Sequence, residues 1–162
     1  MLRLLMIADD FTGALDTGVQ LAAHGIPTQV VVGQADLSAC SSTVLVVDTE
    51  TRHLPAAKAA KAVEELTRSA VENGVGCIYK KTDSALRGNI GAELAALLKA
   101  SGARNLPFLP ACPICHASVQ TDGTNGLSAP GLFLSRKQGD CIGPCLLPIG
   151  SYNPSWSLPK GI

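Results

Sequence analysis

Short apolar runs alternate with amphipathic stretches along the first two-thirds of the chain. Arg3-Leu4-Leu5-Met6-Ile7-Ala8 is apolar after its first residue and meets Asp9-Asp10, the pattern of a strand covered on both faces. Over 13–24, Leu15, Val19, Leu21 and Ala22 recur at helical spacing. Asp10 or Thr12 can cap that helix, and Gly25 with Pro27 can end it. Two β-branched runs, 29–32 and 43–47, predict further strands. Pro55 opens an alanine-rich helix that runs to about Glu72 and stops at Asn73-Gly74. Cys77-Ile78-Tyr79-Lys80 reads as a fourth strand, with Lys80 as a solvated charge at its edge. Asn89 is placed to cap a helix through Lys99 that halts at Ser101-Gly102. Leu106-Pro107-Phe108-Leu109 reads as a fifth strand, weakened by its proline. The order β-α-β-β-α-β-α-β predicts an α/β fold: a mostly parallel sheet of about five strands with helices on both faces.

After Pro110 the pattern stops. Residues 1–110 hold 13 Gly plus Pro and 21 charged residues, whereas the 52 residues of 111–162 hold 13 Gly plus Pro and only 5 charged ones. No period persists there, so the segment is expected to be an irregular tail: loop, disorder, or the product of a shifted reading frame. Translating the downstream DNA in another frame tests the last of these. The division expected is therefore 1–113 as one domain and 114–162 as tail.

Over the whole chain of 162 residues, 13 Lys plus Arg balance 13 Asp plus Glu, and only 16% of residues are charged. Such a surface has no footprint for nucleic acid or an anionic membrane. No uncharged apolar run approaches the ~18 residues of a membrane helix. The N-terminal run is too short for a signal peptide before Asp9-Asp10, so a cytoplasmic location with reduced cysteines is expected.

Polar residues cluster where the predicted strands end. The first strand is followed by Asp9-Asp10-Phe11-Thr12-Gly13, the third by Asp48-Thr49-Glu50-Thr51-Arg52. The fourth is followed by Lys81-Thr82-Asp83-Ser84-Ala85-Leu86-Arg87-Gly88-Asn89. In an open parallel sheet these carboxyl ends form the rim where ligands bind. Asp9, Asp10, Asp48 and Asp83 can accept hydrogen bonds from hydroxyls, while Arg52, Lys81 and Arg87 can hold a carboxylate or phosphate. Ser84, Gly88 and Asn89 add short donors and close backbone approach at a helix start. A small polyhydroxylated acid matches this inventory. Asp10 can equally serve as a helix cap, and Asp48 with Arg52 as a structural ion pair.

The same three stretches, 8–16, 48–52 and 80–91, resemble in order and spacing the four-carbon acid sugar kinases, the 3-oxo-tetronate, threonate and erythronate kinases. The resemblance extends to Leu109-Pro110-Ala111-Cys112-Pro113. It implies ATP- and Mg²⁺-dependent transfer of phosphate to the terminal hydroxyl of a four-carbon sugar acid. It also implies an N-terminal domain for the acid sugar and a separate C-terminal domain for the nucleotide. Asp9, Asp10, Asp48, Arg52, Lys81, Asp83, Ser84, Arg87, Gly88 and Asn89 then fall on the sugar-acid side. Nothing after Pro113 resembles the family, and the chain carries no Walker-type phosphate loop. A truncated kinase is thus expected, which binds its acceptor but turns over negligibly.

Four of the six cysteines lie in the tail: Cys112 and Cys115, then Cys141 and Cys145. Their spacing is that of a four-cysteine zinc site. The first pair overlaps the family-like segment, however, and the tail has few apolar anchors to build a zinc ribbon, so no metal is expected. The alternative is a non-catalytic sugar-acid-binding module whose cysteine-rich tail takes zinc. Cys112-Pro113-Ile114-Cys115-His116 also spells a c-type haem attachment, a chemistry that requires export.

Overall fold

A computed structural model describes residues 1–83 and 86–108, with three-residue strands at Ser118–Gln120, Phe133–Ser135 and Leu146–Pro148. The first part runs β1 (Leu4–Ala8), α1 (Phe11–Ala23), β2 (Thr28–Val32), β3 (Val44–Asp48), α2 (Ala56–Glu72), β4 (Cys77–Lys80) and α3 (Ile90–Ser101). The three later strands are β5, β6 and β7 in chain order.

Four strands are parallel, in the order β2-β3-β1-β4. All five residues of β1 and of β3 are buried, which is why both read as continuous apolar runs. Ala8 pairs with Asp48 and Ile7 with Lys80, so β3, β1 and β4 end side by side. Those three ends carry the three polar clusters onto one rim.

Strand alternation builds a core on each face. Leu4, Met6, Ala8, Val44, Val46 and Tyr79 form one cluster with Ala14 of α1. Leu5, Ile7, Leu45, Val47 and Ile78 form the other, with Val63 of α2 and Leu97 of α3. Each fully buried aliphatic side chain contributes about 1.5–3 kcal/mol by leaving water. Helices therefore cover both faces, as the sequence pattern predicts. On α1 the outward stripe Phe11, Leu15 and Val19 stays exposed.

Among the described residues the expected fifth parallel strand is absent. Leu106, Pro107 and Phe108 belong to no strand, and Leu109 lies outside the described residues. Pro107 has no N–H for a ladder, and the edge of β4 is instead taken by β7, which pairs antiparallel through Tyr79 and Leu146. In the tail, β5 and β6 pair antiparallel with each other.

Candidate functional site

Asp10 does two things at once. It is the N-cap of α1, where its Oδ1 accepts the Gly13 N–H at 3.0 Å. A Cβ on Gly13 would lie 2.6 Å from that oxygen, so the cap requires glycine at this position. The other oxygen, Oδ2, accepts from Arg52 Nη1 at 2.6 Å. The cap reading of Asp10 is realised, and its second oxygen joins it to Arg52 on the rim.

Arg52, on the loop after β3, gathers carboxylates from the other two loops. Nε and Nη2 donate to Asp9 Oδ2 and Oδ1, each at 3.0 Å, a two-pronged fit of planar groups. Nη2 also lies 3.4 Å from Asp83 Oδ1. Burial alone would weaken the guanidinium's hold on its proton. The Asp9 hydrogen bond and the charges of Asp9, Asp10 and Asp83 outweigh it and push the pKa above the ordinary arginine value. Most donors of Arg52 are thus committed within the protein. Its structural partner is Asp9, not Asp48.

Two other cations are less committed. Lys81 is buried, its Nζ donates to the Thr82 carbonyl at 2.7 Å, and it makes no salt bridge among the described residues. Burial pushes its pKa below the ordinary lysine value, against the opposing pull of Asp9, Asp10 and Asp83. Arg87 is 66% exposed and pairs with Asp83 through Nε and Nη2, both at 2.8 Å. That contact raises its pKa. Three acids and three bases therefore share the rim.

Backbone shape presses the loops together. Gly88 has φ +90°, and a Cβ there would meet Asp9 Oδ2 at 3.1 Å and Arg52 Cγ at 3.5 Å. Among the described residues, the non-glycine positions with positive φ are Glu50 (49°) and Leu86 (56°), one in each of two rim loops. Such backbone costs energy and concentrates at ligand sites.

Other expected site residues behave differently. Asp48 is fully buried; Oδ1 accepts the Glu50 N–H at 2.9 Å, and Oδ2 has no partner among the described residues. Burial raises its pKa, with the charge of Glu50 adding to the effect. Asn89 occupies the N-cap position of α3 but makes no side-chain cap bond. Its Nδ2 donates instead to the Thr51 and Leu54 carbonyls at 3.1 and 2.8 Å, tying α3 to the loop that carries Arg52. Ser84 lies outside the described residues, as do Cys112, Cys115, Cys141 and Cys145.

Lys80 is not a solvated edge charge. It is 1% exposed, and its Nζ lies 2.8 Å from Glu93 Oε2 in α3. Alternation explains this: Ile78 and Lys80 face α2 and α3, while Tyr79 faces the α1 side. The sequence reading missed Glu93, yet a signal was there. Ile90, Glu93, Ala96 and Leu97 share one helical stripe, and a carboxylate on a core-facing stripe needs a buried partner.

Among the described residues no group of three or more His, Cys, Asp or Glu side chains could hold a metal ion. No described helix is long and apolar enough to cross a membrane.

Residues 4–117 match the family model of the sugar-binding N-terminal domain. A D-threonate kinase of Salmonella typhimurium is 45% identical over 101 residues, which are 62% of this chain and 24% of that one. A D-erythronate kinase of Heliobacterium modesticaldum is 35% identical over 114 residues, 68% and 26% of the two chains. A 3-oxo-tetronate kinase of Escherichia coli is 32% identical over 124 residues, 74% and 32%. The chain thus spans between 24% and 32% of the length of these relatives. Among solved structures, a domain of unknown function from Bordetella bronchiseptica, a domain-swapped dimer with bound citrate, superposes with a TM-score of 0.65. It is 36% identical and is covered over 32% of its length by 74% of this chain.

Proposed function

The chain belongs to the family of sugar-binding N-terminal domains found in the four-carbon acid sugar kinases it resembles, and from that premise we propose that its sheet rim binds a four-carbon sugar acid. The observation that carries this reading is the convergence of three loops on Arg52, which collects Asp9, Asp10 and Asp83 at one point. Carboxylates held in fixed positions accept hydrogen bonds from sugar hydroxyls at little ordering cost. Lys81 and the exposed face of Arg87 supply charge for the ligand's carboxylate. The citrate carried by the Bordetella structure, a small hydroxy acid, is chemically akin.

In this reading 1–113 carry the acid-binding loops and 114–162 are a tail from which β7 joins the edge of the sheet, and the domain presents the acceptor for phosphorylation of a terminal hydroxyl. ATP and Mg²⁺ are assigned to the nucleotide-binding part of a family kinase. The 162 residues contain no Walker-type loop. The chain by itself is therefore a binder with negligible turnover, because phosphoryl transfer depends on positioning both substrates.

Calorimetric titration of the purified chain with D-threonate, D-erythronate and 3-oxo-tetronate, with and without ATP and Mg²⁺, tests both parts. Binding unaffected by nucleotide and no ADP formation are expected. No heat with any tetronate overturns the binding assignment, and sustained ADP production overturns the claim of negligible turnover.

A further inference from the structure

Behind the rim lies a second, buried polar cluster. Lys80 Nζ and Glu93 Oε2 are 2.8 Å apart with both side chains at most 1% exposed. The other Glu93 oxygen, Oε1, accepts the hydroxyl of buried Thr51 at 2.5 Å. The Thr49 hydroxyl lies 2.8 Å from that of Thr51 and donates to the Ala8 carbonyl at 2.7 Å. The cluster thus links α3, the end of β4, the loop after β3 and the end of β1.

A buried ion pair is poor evidence of stabilisation, since apolar side chains of equal volume usually serve as well. What an apolar pair cannot do is accept a hydrogen bond from Thr51. Thr51 stands between Glu50, with its positive φ, and Arg52, the hub of the rim. Its hydroxyl is held by Glu93 and its carbonyl by Asn89, so both anchors come from the start of α3. Arg52 N–H then donates to the Asp9 carbonyl at 3.2 Å.

We propose that Lys80, Glu93 and Thr51 are positioning residues: Lys80 fixes the Glu93 carboxylate, which fixes Thr51, which aims Arg52 at Asp9, Asp10 and Asp83. The rim is thereby assembled before ligand arrives. The functional meaning of this device rests on the sugar-acid reading, but the geometry can be tested without ligand.

Three variants of the whole chain separate positioning from folding. Thr51→Val removes only the hydroxyl; Lys80→Met with Glu93→Leu replaces the ion pair by apolar volume; Glu93→Gln keeps an acceptor for Thr51. The first readout is solvent exchange of the Arg52 Nε–H by ¹⁵N NMR, a proton held by Asp9 Oδ2 at 3.0 Å in the native chain. The second is D-threonate affinity set against the thermal midpoint. Thr51→Val is expected to melt within a few degrees of wild type, to exchange this proton at least about tenfold faster, and to bind about ten- to hundredfold more weakly, in keeping with the loss of one hydrogen bond to a charged group. The double variant is expected to behave likewise, and Glu93→Gln to keep most of the protection. Unchanged Arg52 protection in Thr51→Val overturns the proposal, whether or not the double variant folds. Should wild type bind no tetronate, the sugar-acid reading falls, while the exchange comparison still decides the positioning claim.

Discussion

Lys80 and Lys81 are consecutive and both buried, yet they belong to different regions of the molecule. Lys80 ends β4 facing α3, where it pairs with Glu93 in the buried interior. Lys81 turns to the other face, where its Nζ lies 3.5 Å from the position a Cβ would take on Gly13 in α1. It has neighbouring carboxylates but no salt bridge among the described residues. One residue along the chain separates a charge paired inside the protein from a charge with no salt bridge among the described residues. The teaching is that burial alone does not sort structural from functional charges; what matters is whether the partners inside the protein use up the group's donors.

Removing the structural partner has the largest effect. Glu93→Ala leaves the Lys80 ammonium buried and unpaired, and the expected loss of stability is about 3–5 kcal/mol by chemical denaturation. Replacing both Lys80 and Glu93 by apolar residues should recover most of that loss. Asp9→Ala comes next, because it frees both prongs of the Arg52 fork. We expect about 1.5–3 kcal/mol of destabilisation, together with loss of tetronate binding in calorimetry.

Lys81→Met reverses the usual direction. Burial holds the Lys81 pKa below 10.5, the ordinary lysine value. Between its folded-state value and 10.5 the unfolded chain binds more protons, so wild-type stability rises with pH through that window. Below the window the cost of charging Lys81 is fully present. The variant is therefore expected to be at least as stable as wild type at neutral pH, with its advantage shrinking as the pH approaches 10.5, while tetronate affinity falls at least about tenfold. A pH series of urea melts beside calorimetry reads both effects. The smallest change in stability belongs to Arg87→Ala, since an exposed ion pair is screened by water and contributes little; it is expected to weaken binding with an almost unchanged melting midpoint.

The sheet was legible because its inner strands are buried on both faces, so Leu4–Ala8, Val44–Asp48 and Cys77–Lys80 announce themselves by composition. The rim was legible because turn-forming acids and bases crowd each strand's end. Pairings across the rim were not. Nothing local says that Arg52 takes Asp9 rather than Asp48, or that Asn89 leaves its own helix to hold Thr51 and Leu54. Both are contacts between residues far apart in sequence, decided by which strands lie side by side. Lys80 was misread for a related reason: a charge at the end of an apolar strand looks solvated until the opposing helix is known to carry Glu93.

Mapping D-threonate onto the ¹H–¹⁵N spectrum of the whole chain tests the central claim most directly. The account predicts saturable shifts confined to the ends of β1, β3 and β4, around Asp9 to Gly13, Thr49 to Arg52 and Lys81 to Asn89. Shifts concentrated within 114–162, or none at saturating ligand, would contradict it.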